Sequence, residues 1–278
     1  MKLLIQRAKQ EKEARRAQPC RMLEHPPDNG LLVPELVEVA HQVYRARKSL
    51  LSGLAKLVKV IPVQRCRFCN EVHIGHVGHE IRTCVGPGSG SRSATHVWRR
   101  GGVRDVVFFP KCFHLYDRVV TTNFELEKNT DISDESNDRP AERDLSIGTM
   151  ESWFEMISGA KKIMDKYSVL TCGYCPEVQV GPKGHKVRMC KATKHQSRDG
   201  QHAWQEATIE DLVGPNYVWH VRDLNGPSLD NKLKRYYGKA PAVVELCVQT
   251  GTPVPDQCRS MMRLDVIPPN RDEVDLVA

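Results

Sequence analysis

Cys66-Arg67-Phe68-Cys69-Asn70-Glu71-Val72-His73-Ile74-Gly75-His76-Val77-Gly78-His79-Glu80-Ile81-Arg82-Thr83-Cys84 is the stretch that decides how this 278-residue chain folds. Its cysteines and last histidine are spaced Cys-x2-Cys-x9-His-x4-Cys. The same spacing returns without a gap at Cys172, Cys175, His185 and Cys190, each position shifted by 106 residues. That shift also pairs Gly75 with Gly181, Gly78 with Gly184, Arg82 with Arg188, His96 with His202, Trp98 with Trp204, Asp105 with Asp211 and His114 with His220. Upstream it pairs Ser52-Gly53 with Ser158-Gly159. One register therefore covers about residues 51–115 and 157–221, which marks a duplicated domain.

Ten cysteines in a chain without a secretory signal argue against a disulfide framework, and their spacing points to metal. Structural zinc takes four tetrahedral nitrogen or sulfur ligands, and Cys-x2-Cys lets two thiolates of one turn reach the same ion. The simplest assignment is two zinc ions per chain. One is held by Cys66, Cys69, His79 and Cys84, the other by Cys172, Cys175, His185 and Cys190. His96 and His202, and likewise His114 and His220, also repeat and are the alternatives, either as ligands or as residues that hydrogen-bond a ligand from behind. His73 and His76 are matched by Gln179 and Pro182, so a shared site cannot use them and they read as surface residues. Reduced cysteines acting only as small hydrophobes would not come as six in two matching sets. Cys20, Cys112, Cys247 and Cys258 lack counterparts and read as ordinary thiols.

Apolar positions Leu36, Val39, Val43, Leu50, Leu54, Leu57 and Val58 follow a helical period over residues 34–60, after Pro34, so a helix leads into the first module. Residues 152–166 do the same for the second. Val72 to Cys84 reads as a short hairpin with tight glycine turns, and Gly86 to Ser91 as a flexible loop. Residues 123–151 hold three basic and nine acidic side chains and offer little to bury, as expected of a solvated linker. The fold class expected is α+β, with two tandem small zinc-stabilised modules and flanking helices. The segments are a basic helical lead 1–50, modules 51–122 and 152–228, the acidic linker 123–151 and a C-terminal helical tail 229–278.

The chain carries a net charge of +7. Residues 51–122 hold eleven basic side chains against four acidic, and residues 157–228 ten against seven, so both modules favour an anionic partner. Arg67, Arg82, Trp98, Arg99, Arg100 and Arg104 in the first module, and Lys186, Arg188 and Trp204 in the second, are the candidate nucleic-acid contacts; the two tryptophans read equally as core anchors. No His-Glu-x-x-His, Gly-x-Ser-x-Gly, phosphate loop or zinc-deaminase pattern is present, so a binding protein is expected rather than an enzyme. No stretch approaches the roughly 20 apolar residues of a membrane span. Met1 to Gln18 has the look of neither a signal nor a transit peptide.

The quoted stretch from Cys66 to Cys84 resembles the first APO domain of the plant APO proteins, named for accumulation of photosystem one. Cys172 to Cys190 is similar to the second, and Asn29-Gly30-Leu31-Leu32-Val33-Pro34-Glu35-Leu36 also resembles the family. The resemblance implies a nuclear-encoded protein of a plant organelle, mitochondrion or chloroplast, that binds single-stranded or intron RNA. It would promote group II intron splicing or transcript processing alongside other organellar splicing factors. The alternative it carries is a factor for stable assembly of 4Fe-4S complexes, in which the cysteine sets would hold an iron–sulfur cluster.

Overall fold

The computed structural model describes residues 10, 34–110, 142–181, 184–192, 198–270 and 272–276. The expected leading helix is there: α1 (Pro34–Val60) turns Ala46, Leu50, Leu54 and Leu57 inward at helical spacing, all of them buried. From it the chain enters β1 (Val63–Cys66), rounds the Cys-x2-Cys turn into β2 (Val72–Ile74), and after a long loop returns as β3 (Trp98–Arg100). These make an antiparallel sheet in the order β2-β1-β3. A one-turn helix, Val103–Val106, leads to β4 (Val107–Phe108).

The second copy repeats the plan. α2 (Glu142–Met164) precedes β5 (Val169–Cys172), β6 (Val178–Val180) and β7 (Trp204–Glu206), in the order β6-β5-β7. A one-turn helix, Ile209–Leu212, and β8 (Gly214–Pro215) follow. The chain then adds β9 (Tyr217–Trp219), a 3-10 turn (Asn231–Tyr236), β10 (Lys239–Pro241) and α3 (Ala242–Gln249), which have no equivalent in the register of the first copy among the described residues.

The two copies pack on each other about a local twofold axis. α1 and α2 run antiparallel, and each has a glycine where the other comes closest. A Cβ on Gly53 would lie 1.9 Å from Thr149 Oγ1, and one on Gly159 would lie 2.4 Å from Val43 Cγ2. Val43 and Thr149 are themselves repeat partners, so this is one contact made twice. β4 pairs with β8, and the pairing sets Phe108 opposite Gly214, its own counterpart. The interface is thus an internal dimer, with one apolar core drawn from α1, α2, β1, β2 and α3.

Three expected boundaries shift. The acidic segment does not run to 151: α2 begins at Glu142, because Ser146, Thr149 and Met150 are buried in the helix pair while Glu142 and Asp144 sit in the first turn, where acids favour a helix. The rest of that segment, and His114, Cys20 and Cys112, lie outside the described residues. The lead 1–50 and the start of module 51–122 share a single helix, α1. Residues 229–278 are no appended tail, since Ala240, Ala242, Val243, Val244, Leu246 and Cys247 are fully buried and close the common core. The hairpin also moves upstream: β1 and β2 form it around the Cys-x2-Cys turn.

Candidate metal centres and the surface around them

β1 delivers Cys66 at its end, and the turn that follows delivers Cys69. Phe68 N–H points at Cys66 Sγ at 3.4 Å, as in a tight thiolate turn. β3 pairs with β1 so that Trp98 opposes Cys66, and the strand's approach, fixed by Arg67 N–H to Val97 O at 2.8 Å, brings His96 back beside Cys69. His96 Nδ1 lies 3.5 Å from Cys69 Sγ, and Cys66 Sγ lies 4.0 Å from Cys84 Sγ. In the second copy His202 Nδ1 lies 3.4 Å from Cys175 Sγ. The ligand atoms of Cys66, Cys69, Cys84 and His96 all lie within 4.8 Å of one another, as do those of Cys172, Cys175, Cys190 and His202.

These lengths suit a single ion. Tetrahedral zinc with bonds of about 2.3 Å to sulfur and 2.0–2.1 Å to nitrogen spaces two sulfurs about 3.8 Å apart and a sulfur and a nitrogen about 3.6 Å apart. In a cubane cluster each thiolate binds a different iron, which spreads the sulfurs farther. The thiol chemistry also fits. Burial resists ionisation of Cys66, but the N–H groups of Phe68 and Cys69, with His96, outweigh it and bring the thiol down to about 6. Burial, with the sulfurs of Cys66 and Cys84 beside it, pushes Cys69 up to about 12, and the same causes push Cys175 up to about 12. Three thiols this close do not ionise together unaided, whereas a cation among them holds all three as thiolates.

The geometry therefore favours, at the fourth position, the alternative pair named from the sequence over His79 and His185. The structure brings His96 and His202 to the thiols, while His79 and His185 stand one layer behind. Glu71 links the layers: its Oε2 is 3.3 Å from His96 Nε2 and its Oε1 is 3.3 Å from His79 Nε2. Glu177 does the same, at 3.3 Å from His202 Nε2 and 2.6 Å from His185 Nε2. A carboxylate on the far nitrogen fixes the tautomer that presents Nδ1 to a metal. Burial opposes ionisation of Glu71, but hydrogen bonds from His79 and Thr83 overcome this and hold it at about 2, so it stays a carboxylate. Sequence reasoning misses Glu71 and Glu177, although they match in the repeat register. It also misses Arg92 and Arg198, which stack on Phe68 and Tyr174 at 3.8 and 3.7 Å and donate to Cys84 and Cys190 at 3.7 and 3.6 Å.

The two centres differ in their backing. Glu71 also accepts from Thr83 Oγ1 at 2.8 Å and from Trp219 Nε1 at 3.0 Å, the latter reaching in from β9. In the second copy Thr83 is replaced by Met189, which is exposed. His220, one of the histidines considered for a metal, lies elsewhere, with Nδ1 2.9 Å from the fully buried Glu245. His73 is not a surface residue: it is 2% exposed, because β9 and α3 lie against β2, and its ring packs near His79 and Trp98. Its counterpart Gln179 is also buried. His76 is exposed as expected.

Arg67, Arg82, Arg99, Arg100 and Arg104 are exposed around the first centre, and Lys186 and Arg188 around the second. Trp98 and Trp204 are half-buried. Each sits over a glycine, Gly78 or Gly184, and donates its indole N–H to the carbonyl of His79 or His185, at 3.2 and 3.0 Å. They anchor the module and still show an edge to solvent. Beyond the first β-strand pair the copies diverge in charge: Arg99 and Arg100 on β3 correspond to Gln205 and Glu206 on β7. No described helix is long and apolar enough to cross a membrane.

Known proteins resemble this chain in sequence. The chain is 58% identical to APO protein 3, mitochondrial, of Arabidopsis thaliana, over all of its own length and 85% of that protein. It is 36% identical to APO protein 1, chloroplastic, of the same plant, over 91% of its length and 74% of that protein, and equally to APO protein 2, chloroplastic, over 91% and 72%. No solved structure matches it. The pattern described as APO RNA-binding matches residues 1–133 and 143–267, nearly the whole sequence, and the chain belongs to the APO RNA-binding family.

Proposed function

We propose that this chain is an RNA-binding protein of a plant organelle that promotes group II intron splicing or transcript processing, and that it works by binding rather than by catalysis. Cys66, Cys69, Cys84 and His96, and Cys172, Cys175, Cys190 and His202, each hold one zinc ion, whose role is to fix the loops that carry the basic side chains. The observation that carries the reading is the cluster of exposed Arg67, in the turn after β1, and Arg99 and Arg100, on β3 beside it, around the first centre. Such side chains neutralise phosphates along a single strand. The sulfur spacing of 4.0 Å supports one ion per centre over an iron–sulfur cluster. The 58% identity to a protein named mitochondrial supports the mitochondrion over the chloroplast.

The test is binding of an intron-derived single-stranded RNA to the full chain at several salt concentrations, for wild type and for Arg99→Ala/Arg100→Ala. Each phosphate contact contributes roughly −0.7 to the slope of log affinity against log salt, so losing two flattens it by about 1.4. An unchanged slope and affinity would show that this face does not meet the RNA.

A further inference from the structure

Next to the first centre the protein holds an open pocket of about 580 Å³, and we propose that it receives one unpaired nucleotide of the bound RNA. The base enters between Trp98 and the 3-10 turn, and the flanking phosphates meet Arg82 and Lys232. This deepens the RNA-binding reading and rests on it.

The pocket has two walls of different origin. One is the first module itself, from Gly78 to Arg82 and from Thr95 to Trp98. The other is Asp230, Asn231 and Lys232, brought across from the C-terminal part of the chain. Hydrogen bonds join the walls at their base: Arg82 N–H donates to Asn231 Oδ1 at 3.0 Å, and Glu80 N–H donates to Leu229 O at 2.9 Å. The pocket is therefore preformed, and its volume falls within the roughly 300–1,000 Å³ typical of small-ligand sites.

Its chemistry suits a nucleotide. Arg82 and Lys232 are exposed cations on opposite walls, and Trp98 supplies a half-buried aromatic edge. The acidic side chains that also line it are engaged: Glu80 accepts from Ser228 Oγ at 2.9 Å, and Asp230 caps the 3-10 turn through Lys232 N–H at 2.9 Å. A recess between two segments admits a splayed base and excludes a paired one, which is how single-stranded RNA is read. The second module keeps the tryptophan, Trp204, but differs in the cation and in the wall. Arg188, the counterpart of Arg82, is tied to Asp199 at 2.5 Å. Val187 is 52% exposed where Ile81 is 0%, so among the described residues no opposing wall covers it.

The test uses the full zinc-loaded chain and a single-stranded RNA carrying one 4-thiouridine, crosslinked by light and mapped by mass spectrometry. Crosslinks should fall on residues 78–82, 95–98 or 230–232. Arg82→Ala/Lys232→Ala should keep its metal content, flatten the salt slope by about 1.4 and weaken binding about 25-fold at 0.1 M salt. Arg45→Ala/Arg259→Ala, which removes two exposed cations that do not line the pocket, should change neither. If the wild type binds the RNA but crosslinks elsewhere, and the first double variant binds as tightly, the pocket assignment falls while the RNA reading stands. If the wild type binds no single-stranded RNA at low salt, both fall.

Discussion

Replacing His96 with Ala takes one of four atoms from the first metal centre, whereas replacing His79 takes away only a partner of Glu71. Structural zinc binds small sites with roughly 10–16 kcal/mol of apparent energy, so an even share per ligand is about 3–4 kcal/mol, or roughly 10²- to 10³-fold in affinity. Loss of an outer partner costs about 10- to 100-fold. His96→Ala should therefore weaken zinc at the first centre about ten times more than His79→Ala. Competition against a chromophoric chelator at neutral pH measures both. Cobalt substitution adds a signature that packing damage does not mimic, because the ligand-field bands report the three-sulfur, one-nitrogen set directly. They should change in His96→Ala and persist in His79→Ala. If His79→Ala costs more affinity than His96→Ala, or alone shifts the cobalt bands, the ligand set drawn from the geometry is wrong.

The two centres should empty in order. Glu71 is held by Thr83 and Trp219 as well as by His79, while Glu177 lacks the threonine, so a chelator should strip the second zinc first; Trp219→Phe should narrow the gap, and identical release rates in wild type would contradict it. Gly53→Ala should destabilise the chain by about 1–3 kcal/mol through overpacking against Thr149, and Thr149→Ala should restore part of the loss, since its Cβ remains within 2.9 Å of the new one; a silent Gly53→Ala would remove the close helix approach. His73 gives a pH dependence: burial, with His79 nearby, lowers it from 6.5 to about 3, so the unfolded chain binds a proton that the folded one refuses. Its contribution is intact above pH 6.5 and is lost as pH falls toward 3, by about 3 kcal/mol at pH 4.5. His73→Gln, the residue buried at the matching place in the second copy, should melt with less acid sensitivity than wild type, and parallel pH profiles would rule the histidine out.

The duplicated register made the modules, their lead helices and six of the eight clustered metal-site residues legible in the sequence. His96 and His202 are legible there only as alternatives to His79 and His185, because their place depends on β3 or its counterpart, a strand of three residues too short to show a period, pairing back across more than thirty residues. His73 reads as a surface residue in sequence for a related reason: β9 and α3, which lie against β2, arrive from far along the chain. The run Ala240 to Cys247 had the apolar character of a core helix but no partner in sequence to say where it docks. The acids at Glu142 and Asp144 read in sequence as part of a solvated linker, and the burial of Ser146, Thr149 and Met150 makes them the first turn of a helix instead.

The account ties RNA binding to the two centres, and one titration tests that link most directly: an intron-derived single-stranded RNA against the full chain, zinc-loaded and metal-stripped, at the same salt. The loaded protein should bind with an affinity that falls as salt rises, and the stripped protein should lose that binding and regain it on adding back two zinc ions per chain. Equal binding with and without metal, or restoration by fewer than two ions, would contradict it.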